Sequence, residues 1–299
     1  MKSGLDAIWD RLPLGRDVSL LAHDAAGVAA LNKPAGILSH PNAGGDEPRS
    51  LLTVRYTLEG EFYQWKVPGE DAFRRVWLLN RLDSATSGVV LVCADEALAH
   101  EIRAQFKRKQ VHKVYAALVF GAPRVPVELW KDTLAVERKG GQLRASLHTG
   151  RVPAETKMSL VRTGRGEPRL SLLKLEPHTG RSHQLRVQCA KRHLPIVGDQ
   201  TYGDFSRNRE FARSAGTKRL FLHSLETNFQ YEFGGAKYDF SARADLPRGT
   251  RRAPHAAEEP RPCGHSRRNP NSRSSSTGST TSYGARSSRW TSSSPARST

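Results

Sequence analysis

Asp83 stands in the run Asn80-Arg81-Leu82-Asp83-Ser84-Ala85-Thr86-Ser87-Gly88, which leads straight into Val89-Val90-Leu91-Val92. Asp and Ser favour turns, Gly88 permits a sharp bend, and the aliphatic run that follows reads as a buried strand. The pattern therefore expects a carboxylate at a sheet edge with the basic Arg81 beside it. A carboxylate held there can serve as nucleophile or general base, or can simply bond its own backbone as a turn residue.

Other residues of chemical interest surround this one in the chain. Lys33 opens the turn Lys33-Pro34-Ala35-Gly36, and Tyr115 sits in the strand-like run His112-Lys113-Val114-Tyr115-Ala116-Ala117-Leu118-Val119-Phe120-Gly121. The polar stretch Thr179-Gly180-Arg181-Ser182-His183-Gln184-Leu185-Arg186 carries two guanidiniums and an imidazole. Taken alone, Tyr115 reads as a core residue, Arg81 as an ion-pair partner of Asp83, and Arg186 as a phosphate ligand or a structural pair.

Together these segments resemble the RluA-type pseudouridine synthases. Asn80 to Gly88 is similar to that family's H-R-L-D-x-x-T-S-G motif, with Asn80 in place of the usual His. Leu31 to Pro41 looks like its N-K-P-x-G turn, and His112 to Gly121 its K-x-Y-x-A-x-V-x-G strand. Thr179 to Arg186, followed by Pro195-Ile196-Val197-Gly198-Asp199 and Tyr202-Gly203, resembles T-G-R-x-H-Q-[IL]-R with G-H-P-[IL]-x-G-D-x-x-Y-G, although His193-Leu194 replaces Gly-His. The resemblance spans roughly residues 18–245.

What the resemblance implies is isomerisation of uridine to pseudouridine in structured RNA, rRNA or tRNA, without cofactor or metal. That change breaks N1–C1′, turns the base and joins C5 to C1′, so it needs a flipped base, a carboxylate and a closed pocket. By resemblance Asp83 is the carboxylate, attacking covalently or taking a sugar proton. Arg186 is its basic partner, which would keep it ionised and fix its rotamer. Tyr115 stacks on the target base and assists removal of the C5 proton, and Arg81 fills the space the base leaves. Lys33 and Arg181 are candidates to hold phosphates, His183 and Gln184 to brace the RNA cleft. Asn80 can replace His if that side chain bonds backbone or a base edge; if the ring stacks on RNA, target choice differs.

Composition agrees. The chain has 299 residues, 37% hydrophobic, and a net charge of +18. Such a positive field attracts polyphosphate, so nucleic acid is the first partner to expect. Residues 247–299 hold ten Arg, no Lys and two Glu, a net +8, which leaves +10 on residues 1–246. Three cysteines far apart, without metal-ligand spacing, point to neither disulfide nor metal. No apolar leader or span is evident, and a cytosolic monomer is expected.

The elements that must position these residues follow from periodicity and punctuation. Residues 1–17 read as an N-terminal extension, packed or frayed, too short for the S4 domain that such enzymes often carry. Residues 18–246 read as the catalytic domain and 247–299 as a Ser/Arg-rich tail whose composition predicts disorder. Strands are expected at 27–32, 113–120, 156–162, 170–175, 219–225 and 238–242. Helices are expected at 95–109, N-capped by Asp95, and at 182–193, with a short one near 50–57. The basic end of the 95–109 helix, Lys107 to Lys109, is either a solvated terminus or a phosphate contact. Strands and helices without regular alternation argue for α+β, and the resemblance implies the pseudouridine synthase fold, a bisected, mixed, largely antiparallel sheet. The competing readings are a catalytically silent RNA-binding or ribosome-assembly protein on the same fold, and a nucleoside hydrolase using Asp83.

Overall fold

The computed structural model describes residues 6–67, 69, 72–139, 142–146 and 152–247. The chain divides into two units, Met1–Ala257 and Glu258–Thr299; the second, with nearly all of the tail expected to be disordered, lies outside the described residues.

Helix α1 (Asp6–Trp9) precedes strands β1 (Ser19–His23) and β2 (Val28–Lys33). Then come β3 (Tyr56–Thr57), β4 (Phe62–Lys66), β5 (Phe73–Leu78) and β6 (Ser87–Cys93), followed by helix α2 (Glu96–Lys107) and β7 (His112–Phe120). A long ladder follows: β8 (Val127–Lys139), β9 (Gln142–Ser146), β10 (Val152–Thr163) and β11 (Leu170–Pro177). Helices α3 (Gln184–Lys191) and α4 (Phe205–Ala215) lead to the closing pair β12 (Leu222–Phe233) and β13 (Ala236–Arg243).

The strands form one sheet in the order β3-β4-β5-β6-β12-β7-β11-β10-β8-β9, with β2 and β1 attached at β6 and β13 at β12. Among the described strands the one parallel contact is β6 with β12. It is two residue pairs wide, His223 with Ser87 and Ser224 with Gly88. Past that seam the strands part: β6 runs on against β2, and β12 against β13. This is the mixed, largely antiparallel, bisected sheet expected for an α+β pseudouridine synthase fold.

Gly88 makes the seam possible. Its φ is +111°, and a Cβ there would lie 2.0 Å from the Ser224 carbonyl oxygen. Only a residue without a side chain lets the two backbones approach this closely.

β6 is central, which corrects the expected position of Asp83 at a sheet edge. Every residue of β6 is buried. Val89, Leu91 and Cys93 face a core shared with Leu98 and Ile102 of α2 and Phe229 and Phe240 of β12 and β13. Val90 and Val92 face a second core with Leu31, Tyr63 and Trp9. A strand covered on both faces shows no alternation, so its place in the sheet cannot be read from its own sequence. Trp9, 3% exposed, also anchors the N-terminal segment in the core.

The short helix expected near 50–57 is absent; a 3-10 turn, Glu47–Arg49, precedes an irregular stretch and β3. Leu51 and Leu52 are both fully buried, and the backbone partners of this stretch are distant in sequence. Gly15 N–H donates to Leu51 O, and Leu51 N–H to Leu38 O. Tertiary partners thus outcompeted the helical ones. The α2 helix matches expectation, with the Asp95 side chain accepting from Leu98 N–H. Arg108 at its basic end pairs with Glu101 at 2.6 Å, which favours a solvated terminus for that residue. The second expected helix, 182–193, is shorter, Gln184–Lys191. β4, β5, β8, β9 and α4 have no counterpart among the sequence expectations.

Candidate active site

Asp83 lies in the loop just before β6, its side chain 30% exposed. Arg186, on α3, donates from Nη1 to Asp83 Oδ2 at 3.2 Å. The two residues are 103 positions apart in the chain, and the seam between β6 and β12 brings their elements together.

Arg186 is itself held from behind by Asp199, a residue to which the sequence assigns no role of its own. Its Nε and Nη2 donate to the two carboxylate oxygens of Asp199 at 2.8 and 2.7 Å. This is the bidentate fork that suits guanidinium and carboxylate. Asp199 is 1% exposed and also accepts from the N–H groups of Thr201 and Tyr202. Burial pushes its carboxyl pKa up, but the Arg186 bonds and charge outweigh this and leave it below the usual range. Burial likewise works against the Arg186 charge, yet Asp199 and Asp83 raise its pKa further above its ordinary value.

Helix α3 can carry an internal cation because its neighbouring polar groups are engaged. Leu185 and Cys189 enter a core with Trp130, Leu175 and Ile196. Gln184 ties the preceding turn, accepting from Thr179 Oγ1 at 2.7 Å and Arg181 N–H at 3.1 Å, and donating to Glu155 O at 3.1 Å. Gln188 accepts from Thr156 Oγ1 and donates to Asp132. Buried polar groups satisfied in this way hold the helix in one register.

His183 joins the pair. It occupies the N-cap of α3 in the left-handed conformation, φ 58°. Its Nε2 is 3.6 Å from Asp83 Oδ2, and its Nδ1 is 2.9 Å from the Tyr202 hydroxyl. Burial lowers its pKa, with Arg186 adding to the effect and Asp83 and Asp199 opposing it, so the imidazole is neutral near pH 7. Tyr202, another residue without a role in the sequence expectations, stacks edge-on to His183 and lies under the Arg186 guanidinium at 5.2 Å.

Tyr115 lies on β7, opposite Ser224 of β12. Its hydroxyl bonds the Ser224 side chain, while burial, with the Asp83 charge, pushes its pKa up to about 12. The phenol therefore stays protonated at neutral pH, a poor proton acceptor and a flat surface.

Lys33 is a correction. Expected at phosphates, it is fully buried, and Nζ donates to Pro34 O, Ile37 O and Ser84 O at 3.1, 2.6 and 3.0 Å. Three carbonyls match the three donors of an ammonium, so this residue clamps the 33–37 turn to the loop that bears Asp83. Burial pulls its pKa down to about 7, partly opposed by Asp83.

Arg81 is exposed, with Nη1 3.5 Å from His40 Nε2. Arg181 is also exposed, while Gln184 is buried and braces the turn. Asn80 Oδ1 accepts from Leu91 N–H at 2.7 Å, so its side chain bonds backbone here. Ser87 and His223 fasten the seam, Ser87 Oγ lying 2.8 Å from His223 Nδ1 and accepting from Arg219 Nη2 at 2.7 Å. Among the described residues no group of three or more His, Cys, Asp or Glu is placed to hold a metal, and no helix is long and apolar enough to cross a membrane.

Comparison with known proteins meets this geometry. The sequence profile of the RNA pseudouridylate synthase family matches residues 27–191. tRNA pseudouridine synthase C of Yersinia pestis is 32% identical over 231 residues, 74% of this chain and 84% of that protein. Its counterpart in Pasteurella multocida is 33% identical over 68% of this chain and 82% of that protein. Among solved structures, human RNA pseudouridylate synthase domain containing 1 superposes with a TM-score of 0.55 at 21% identity, over 77% of this chain and 84% of that one. Human RNA pseudouridylate synthase domain containing 4 does so at 0.55 and 20%, over 82% and 92%. These two likenesses speak for the fold. The chain belongs to the RluA-type RNA pseudouridylate synthase family.

Proposed function

We propose that this protein isomerises uridine to pseudouridine in tRNA, with Asp83 as the essential carboxylate. The observation that carries the reading is the row Asp83, Arg186, Asp199, in which a partly exposed acid is held by a guanidinium that a buried acid holds in turn. Preorganisation of this kind means the carboxylate need not reorient when substrate arrives. Similarity to tRNA pseudouridine synthase C of several bacteria supports tRNA as the RNA.

The reaction conserves every atom of the nucleotide. N1–C1′ breaks, C5–C1′ forms, the C5 proton leaves and N1 gains one, so no redox partner is required. Asp83 acts either by bonding to the sugar or by removing a sugar proton. In both routes Arg186 fixes its orientation and neutral His183 lines the same oxygen. Tyr115, as a protonated phenol, supports the base by stacking; removal of the C5 proton by its phenolate is disfavoured by a pKa pushed up to about 12. Arg81, exposed two residues before Asp83, is the candidate to enter the stack as the base leaves it.

The test is carbodiimide mapping of pseudouridine in tRNA incubated with wild type or Asp83→Ala. Wild type should create at least one new position, and Asp83→Ala none, with tRNA binding retained. Equal product from both would refute the assignment, whereas binding without product from either would favour the silent RNA-binding reading.

A further inference from the structure

Helix α4 has no counterpart among the sequence expectations, and its outer face has no role in the chemistry above. Its inner face is built into the molecule. Phe211 packs edge-on against Phe221 and Phe120, at 5.4 and 6.3 Å between ring centres. Asn208 accepts from Gly198 N–H at 2.7 Å and donates to Asp199 O at 2.9 Å. The helix is thus bonded directly to the residue that holds Arg186.

The outer face is predominantly basic, with Glu210 its one exposed acid. Arg209 and Arg213 are exposed at i and i+4, and Lys218 follows the left-handed Gly216 cap. Two like charges at that spacing cost a few tenths of a kcal/mol in an isolated helix. Among the described residues none of these three cations forms an ion pair. Elsewhere, Arg186, Lys191 and Arg192 each meet a carboxylate. The helix dipole favours Arg213 in the last turn but does nothing for Arg209 in the middle. The three cations line an open groove of about 900 Å³ with Glu210, so cations outnumber acids there, and with Phe205, whose side chain is exposed at the helix start. Unpaired cations interleaved with an exposed aromatic ring match a nucleic-acid strand, phosphate to guanidinium and base to ring.

We infer that the outer face of α4, with Lys218, is a docking surface for the sugar-phosphate backbone of the RNA substrate. This rests on the reading of the protein as an enzyme of RNA. It adds where the substrate body is gripped, and it places that grip one hydrogen bond from the Arg186–Asp199 pair.

The experiment uses the full chain and unmodified bulk tRNA in filter binding over a series of salt concentrations. The variant Arg209→Glu/Arg213→Glu is compared with Arg16→Glu/Lys237→Glu, which reverses two exposed charges elsewhere. The α4 variant should bind about tenfold more weakly or worse, with the log Kd against log salt slope reduced by about 2. The control should stay within about twofold of wild type. Equal loss in both variants, or none in the α4 variant, overturns the surface. If charge reversal unfolds the protein, Arg209→Gln/Arg213→Gln tests the same surface, since Gln suits a helix. Pseudouridine formation by wild type is read separately: its absence would refute the enzymatic reading while the binding series still judges α4.

Discussion

At the scale of residues, the candidate site depends on charges that hold one another. Arg186 lies between two carboxylates, one buried and one reachable from solvent, and the buried one determines where the other is held. Lys33 shows how a charge beside the site can be structural. Its folded pKa of about 7 lies below its ordinary 10.5, so over that window the unfolded chain binds more protons than the folded one. Stability should therefore rise with pH from about 7 toward 10.5, at up to about 1.4 kcal/mol per pH unit. Urea midpoints taken across that window for wild type and Lys33→Met measure this, and the variant should lose that part of the slope. An unchanged slope would show that Lys33 keeps an ordinary pKa. The lysine's burial was not legible in the sequence, because a Lys opening a Pro-Gly turn looks solvated until the loop bearing Ser84 is folded over it. Asp83 and Arg186 were legible, because motifs on both sides matched one family.

At the scale of elements, two strands touching over two residue pairs bring the site together. Gly88 is the point of closest approach, and an added methyl would meet the Ser224 carbonyl oxygen at 2.0 Å. Gly88→Ala should destabilise by roughly 3 kcal/mol or more, combining an unfavourable positive φ with a backbone collision. Chemical denaturation reads the stability, and single-turnover pseudouridine formation should fall at the same time because the Asp83 loop and Tyr115 flank this seam. Of the elements, α2 was readable from Leu98, Ile102 and Phe106 at helical spacing and from its Asp95 cap. The 50–57 stretch was misread because Leu51 and Leu52 are buried by neighbours remote in sequence, which no local window contains.

At the scale of the molecule, the positive charge divides into +10 on residues 1–246 and +8 on residues 247–299. The last residue placed in a described core is Ala244. A chain ended after Leu246 should therefore keep the urea midpoint and m-value of the full protein. It should bind tRNA with a shallower salt dependence, since fewer cations displace counterions. A fall in midpoint would mean that the tail contributes to the fold.

The sequence by itself pointed to the family and to Asp83 and Arg186 as neighbours, because those residues sit in short motifs whose order along the chain is informative. It also indicated the α+β class and an attraction to nucleic acid, which follow from periodicity and net charge. Only the tertiary structure decided that β6 is central, that Lys33 is a buried clamp, that Asp199 holds Arg186, and that α4 turns unpaired cations outward. The physical reason is common to all four: burial and ion pairing are made by residues distant in sequence, and they exist only once the strands on either side of the seam have met.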